Sequence, residues 1–83
     1  MREEIDSINI GNRIRLTREK QNMTRDSLSE LIDITPYFLG QIERGERNMS
    51  IKTLIKISGS LNISIDYLIY GIKISDDLNN NSN

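Results

Sequence analysis

The sequence predicts an all-α domain of five short helices. Three observations carry that expectation. Apolar residues recur at i, i+3 and i+4 in separate short stretches rather than alternating. Four of those stretches open on Thr or Ser and close on Asp, Gly or Asn, residues suited to helix starts and to left-handed stops. The chain has 83 residues and no cysteine, near the lower limit for an unstapled core. A helical bundle is easier to reach at that size than a sheet sandwich. One domain, residues 8–73, follows a short charged lead (residues 1–7). The polar stretch DDLNNNSN at residues 76–83 has nothing to bury, so residues 74–83 are expected to be a disordered tail.

The first helix is expected over residues 8–21, where Ile10, Ile14 and Arg18 form one i, i+4 row with Leu16 to one side. An arginine thus falls on the apolar stripe. It either snorkels to water or is buried and needs a buried carboxylate. The second helix covers residues 25–32, with Thr24 as N-cap, Asp26 favouring the first turn and Leu28, Leu31 and Ile32 as the core face. Asp33 follows, where the backbone turns left-handed. The third begins after the cap Thr35, with Pro36 at the first helical position, where its missing N–H costs nothing. It reaches Arg44 and stops at Gly45. Leu39 and Ile42 face inward, while Pro36, Tyr37, Gly40, Gln41 and Arg44 fall on the other side.

The fourth helix starts after Ser50. Leu54, Ile57 and Leu61 form its inward stripe, with Ile51 and Ile55 beside it, and Asn62 takes the left-handed cap. The fifth runs from Ser64 to Gly71. There Ile63, Ile65, Tyr67 and Ile69 also alternate as in a strand, but the Ser64 cap, Asp66 in the first turn and the Gly71 stop favour a helix. Of 30 hydrophobic residues 15 are Ile and 8 are Leu, and Ala and Val are absent. Ile is a mediocre helix former, so these helices must be held by packing of their apolar faces.

Composition narrows function. With no Cys and no His, the chain has no thiol nucleophile, no Cys-based zinc site, and neither the commonest general base nor the commonest metal ligand. No nucleophile–base pair or metal cluster stands out, so no enzyme, metal or cofactor is expected. No run approaches the roughly 18 apolar residues of a membrane helix, and residues 1–10 carry Glu3, Glu4 and Asp6 rather than a signal-peptide pattern. A soluble cytoplasmic protein is expected. Net charge is −1, but residues 8–73 hold ten basic and seven acidic side chains, a balance that permits an anionic partner without requiring one.

Helices two and three are separated only by Asp33 and Ile34 before the next cap, which sets them in a steep helix-turn-helix crossing. The second of the pair exposes Thr35, Tyr37, Gln41 and Arg44. A helix of that length fits the major groove, with its first residues reaching base edges.

Residues 10–71 resemble the Xre/Cro family of phage-repressor-like helix-turn-helix domains. The pieces NMTRDSLSELIDIT, LGQIERGERNMS and LNISIDYLIYG carry the resemblance in order and at family spacing. It implies a lambda-repressor-like fold, double-stranded operator DNA as partner, a cytoplasmic location and a two-fold homodimer. The family's base-reading positions fall on Pro36, Tyr37 and Gln41. Gln41 is suited to adenine N6/N7, and Tyr37 to a hydroxyl contact or a thymine methyl. Pro36 has no donor and offers only an apolar contact. Arg25 stands where the family commonly has Gln and joins the reading set as a phosphate clamp with guanine readout. Gly40, often Ser in the family, loses a hydroxyl contact but allows close backbone approach to a phosphate. Further phosphate contacts are implied for Thr35, Arg44, Arg47, Asn48 and Lys52, and for the free amides after Ser50. Arg18 and Glu43 occupy positions that the family joins in a buried, structural ion pair.

Tyr67, Ile69, Tyr70, Ile72 and Ile74 crowd the C-terminal end beyond what a small core hides. Ile69, Tyr70 and Ile72 are expected to help bury a dimer interface, setting recognition helices ~34 Å apart, one turn of DNA. The leading expectation is a sequence-specific transcriptional regulator, most simply a repressor, with no small-molecule ligand and no membrane partner. A restriction–modification controller or an antitoxin belongs to the same class. A protein-interaction module on the same scaffold is the competing class, favoured by the near-zero net charge and by Pro36.

Overall fold

The computed structural model describes residues 6–72 as five helices in the order α1 (Ser7–Lys20), α2 (Arg25–Ile32), α3 (Pro36–Glu43), α4 (Ile51–Leu61) and α5 (Ile65–Tyr70). There is no strand among the described residues, so the all-α expectation holds, and the alternating stretch is helical from Ile65 onward. Ile74, Lys73, the expected tail and all but the end of the charged lead lie outside the described residues. No helix among the described residues is long and apolar enough to cross a membrane.

Local chemistry sets the boundaries. The side-chain oxygens of Thr24, Thr35, Ser50 and Ser64 each accept from the backbone N–H three residues on, at 3.0, 3.0, 3.1 and 2.9 Å. Each thereby satisfies one of the orphan donors of a helix start. α1 opens one residue earlier than expected because Asp6 supplies its cap, accepting from the Asn9 N–H at 3.1 Å. Asp33 (φ 63°) and Asn62 (φ 57°) end α2 and α4 in left-handed backbone. α3 ends at Glu43 rather than Arg44. Arg44 is its C-cap, and the left-handed turn falls on Gly45 (φ 77°).

The core is built from Ile10 and Ile14 of α1, Leu28 and Ile32 of α2, Leu39 and Ile42 of α3, Ile57 and Leu61 of α4, and Leu68 of α5. α1 packs on α3, α4 and α5, while α2 packs on α3 and α4. Leu31 departs from expectation. It is 62% exposed, and its place in the core is taken by Ser29, whose hydroxyl donates to the Asp26 carbonyl at 2.9 Å. Each residue advances ~100° around a helix, so a face centred between Leu28, Ser29 and Ile32 turns Leu31 to water. Leu54 is half-buried rather than fully inward, and Ile51 and Ile55, placed beside the stripe, are exposed.

Two side chains, Arg13 of α1 and its C-cap Gln21, tie the ends of other helices to α1. The Arg13 guanidinium donates to the Leu68 and Ile69 carbonyls at 2.9 and 3.1 Å, closing the C-terminus of α5. The Gln21 amide donates to the Leu61 carbonyl at 2.8 Å, doing the same for α4. Last-turn carbonyls lack helical partners, so these three bonds satisfy groups that would otherwise need water.

Candidate nucleic-acid interface

The turn between α2 and α3 is three residues long and internally closed. The Ile34 N–H donates to the Ser29 carbonyl at 3.0 Å and the Asp33 N–H to Glu30 at 3.3 Å. This fixes where α3 leaves α2. Along α3, Leu39, Gly40, Ile42 and Glu43 are buried, and Pro36 and Tyr37 are exposed. Tyr37 is 73% exposed, and Gln41, one turn further on, is partly so. A side chain that stays in water when an apolar core lies behind it is available to a ligand.

The inward side of α3 is held by a charged cluster. Glu43, with a side chain 1% exposed, accepts from Arg18 Nε at 2.7 Å and Nη2 at 3.1 Å, a two-point guanidinium–carboxylate pair. Arg18 Nη1 donates to the Met23 carbonyl at 2.9 Å. The buried arginine of α1 is therefore partnered rather than snorkelling. Arg25 also donates to Glu43, Nε to Oε1 at 3.2 Å, while its side chain stays 41% exposed. One carboxylate thus serves two arginines. Among the described residues no buried side-chain polar atom lacks a hydrogen-bond partner.

The other site residues inferred from sequence are distributed around α3. Gly40 does not lie on the accessible face. It is buried beneath two arginine side chains, and a Cβ there would stand 3.1 Å from Arg44 Nη1 and 3.7 Å from Arg25 Nε. Arg44 donates through Nε and Nη2 to the two Glu46 oxygens at 2.9 and 3.2 Å. That bond holds the Glu46 carboxyl below the usual carboxylate range and raises Arg44 further. Arg47 lies over the Phe38 ring, 5.4 Å from its centroid. The Asn48 side-chain oxygen accepts from the Ser7 hydroxyl at 2.8 Å, bringing the start of α1 beside the loop after α3. Thr35 and Ser50 are exposed caps, and Lys52 is exposed in the first turn of α4.

Glu46 and Phe38 were not anticipated. Glu46 follows Arg44 by two residues outside any helix, where periodicity is silent. Phe38 lies between the inward Leu39 and the outward Tyr37 in sequence; it is half-buried and carries Arg47 on its face. Of the C-terminal cluster, Ile69 is half-buried, and Tyr70 and Ile72 are 56% and 49% exposed. Ile69 also borders an apolar depression of about 600 Å³ between α4, α5 and the start of α1, with Leu54, Ile55 and Ile65. Ile51, 75% exposed, stands on its rim.

A helix-turn-helix family model, HTH_3, matches residues 14–68. The control protein C.MunI of Mycoplasma sp is 34% identical over 67 residues, covering 80% of this chain and 90% of that protein. The restriction–modification controller protein C.AhdI from Aeromonas hydrophila is similar in structure, with a TM-score of 0.73 and 28% identity, covering 77% of this chain and 97% of that one. The P22 c2 repressor protein, solved in complex with a synthetic operator, superposes with a TM-score of 0.73 and 30% identity, over 76% of this chain and 96% of that one.

Proposed function

The chain belongs to the HTH_3 helix-turn-helix family, and from that premise we propose that it is a transcriptional regulator that binds operator DNA through α3. One observation carries this reading. Tyr37 and Gln41 stand outward on a helix whose opposite side is locked by Leu39, Ile42 and the Arg18–Glu43 pair. A base reader needs a rigid mount, because bidentate readout depends on both distance and angle. Gln41 and Tyr37 read base edges, and Pro36 makes an apolar contact. Thr35, Arg44, Arg47, Asn48, Lys52 and the amides after Ser50 meet phosphates, fixing register without reading sequence.

The protein acts as a homodimer in this reading. Exposed Ile51 and Ile55 border one depression with Ile69, and the exposed Tyr70 and Ile72 follow Ile69 in the chain, apolar surface that a second copy would cover. A controller of a restriction–modification system is the particular role favoured by the coverage of C.MunI and C.AhdI almost from end to end.

Selection of bound duplexes from a random pool tests both parts. The recovered site should hold two related half-sites spaced by about one turn, 10–10.5 base pairs. With that site in hand, Gln41→Ala should lower discrimination at one base pair by ~1–3 kcal/mol and leave the others alone. A uniform loss across all sequences would contradict the readout assigned to Gln41.

A further inference from the structure

α5 has six residues, of which Leu68 is the buried one. A helix so short has no stability of its own, so contacts from elsewhere decide how it lies. Its start is capped by Ser64. At its end the Gly71 N–H donates to the Tyr67 carbonyl at 2.8 Å, and the next two carbonyls, Leu68 and Ile69, both accept from Nη1 of Arg13. The same guanidinium covers Gly71, where the backbone is left-handed (φ 74°). A Cβ on Gly71 would stand 3.0, 3.1 and 3.2 Å from Arg13 Nη2, Nε and Cζ. Arg13 thus holds both the last turn of α5 and the bend by which the chain leaves it. The exposed Tyr70 and Ile72 stand on either side of that bend.

We propose that Arg13 is a positioning residue that fixes the spacing of the two DNA half-sites read by the homodimer. This rests on the homodimer reading and names what sets its geometry.

The path from α5 to α3 is short and stiff. Two residues before Arg13, Gly11 lets α1 lie against the Ile42 and Glu43 carbonyls at the end of α3. Five residues after it, Arg18 is paired with Glu43. The recognition helix is therefore fastened to α1 on both sides of Arg13, and Arg13 carries that fastening on to α5. Leu68 alone would leave a six-residue helix free to pivot about one buried side chain. Two hydrogen bonds at the far end remove that freedom. In a two-fold dimer joined through Tyr70 and Ile72, any pivot of α5 on α1 occurs in both protomers, so it enters the separation of the recognition helices twice. One added base pair moves a half-site by ~3.4 Å and turns it by ~35° about the duplex. A stiff pair of protomers cannot follow that displacement, whereas a pair hinged at α5 can.

The test uses the duplex recovered with the wild-type chain, rebuilt with its half-sites one base pair closer together and one base pair further apart. Wild type, Arg13→Met and Arg13→Lys are compared on the three duplexes by fluorescence anisotropy. Wild type should bind the altered spacings at least about tenfold more weakly, because avidity is lost where geometry forbids both protomers to engage. Arg13→Met keeps the apolar stem and loses the hydrogen bonds, and its penalty should fall below about threefold. Arg13→Lys can still donate to a carbonyl and should lie nearer wild type. A smaller folded fraction weakens all three duplexes by one factor, so the ratio between spacings reports geometry rather than stability. An Arg13→Met ratio equal to that of wild type would overturn the role of Arg13. A wild type indifferent to spacing would instead overturn the homodimer reading, and the proposal with it.

Discussion

Glu43→Ala is expected to destabilise the domain by ~3–5 kcal/mol, because it strands a buried arginine. Arg18 is 5% exposed, and two of its three nitrogens donate to Glu43. Without the carboxylate, the guanidinium remains in the core with the Met23 carbonyl as its hydrogen-bond partner and the exposed Glu19 carboxylate 3.9 Å away. Domains of this size are marginal, so that loss is a large share of total stability. The pair itself has a smaller net worth than its removal suggests, since burying both charges cost desolvation in the first place. A double variant, Arg18→Met with Glu43→Leu, should therefore recover most of the loss. Urea unfolding followed by circular dichroism measures both. A loss under ~1 kcal/mol for Glu43→Ala, or a double variant worse than the single one, would show that the ion pair does not fasten α1 to α3 in this way.

Gly11→Ala is expected to destabilise, and Gly59→Ala to stabilise, although both glycines lie inside helices. By propensity alone, alanine gains ~0.5–1 kcal/mol at either position. A Cβ on Gly59 meets nothing within 4 Å, so that gain should appear in full. A Cβ on Gly11 would overlap the Ile42 carbonyl oxygen and stand 2.6 Å from the Glu43 oxygen and 2.8 Å from the Glu43 carbonyl carbon. Backbone cannot turn aside as a side chain can. α1 and the end of α3 must separate, and overpacking of this kind costs ~1–3 kcal/mol, enough to outweigh the propensity gain. The displaced segment carries Glu43, so the Arg18 bond is strained as well. Thermal unfolding of the two variants should shift in opposite directions from wild type. Stabilisation by both would mean that α1 does not approach α3 so closely.

These contacts show where sequence reasoning stops. Thr24, Thr35, Ser50 and Ser64 were legible because a hydroxyl before an apolar period has one common use. Asp33 and Asn62 were legible because few residues accept left-handed backbone. Leu31 was misplaced because an eight-residue helix offers both i+3 and i+4 partners to Leu28, and only the neighbouring helices decide how it is rotated. The Arg13 and Gln21 bonds join residues 55 and 40 positions apart, which no local pattern announces. The outward placement of Tyr37 could be read from periodicity. The burial of Gly40 could not, because the arginines that cover it come from α2 and from the C-cap of α3 and the covering depends on their rotamers. Asp6 was passed over as a cap because it sits among other acids in the charged lead.

If α3 presents its outward face to a duplex with cations around it, the full chain binds DNA of any sequence at low salt. Fluorescence anisotropy with a labelled random-sequence duplex, at rising salt, measures this. Arg25, Arg44, Arg47 and Lys52 at phosphates predict measurable binding that weakens with a log–log slope of roughly −3 to −4 per protomer. An absence of binding at low salt, or an affinity that salt leaves unchanged, would contradict it.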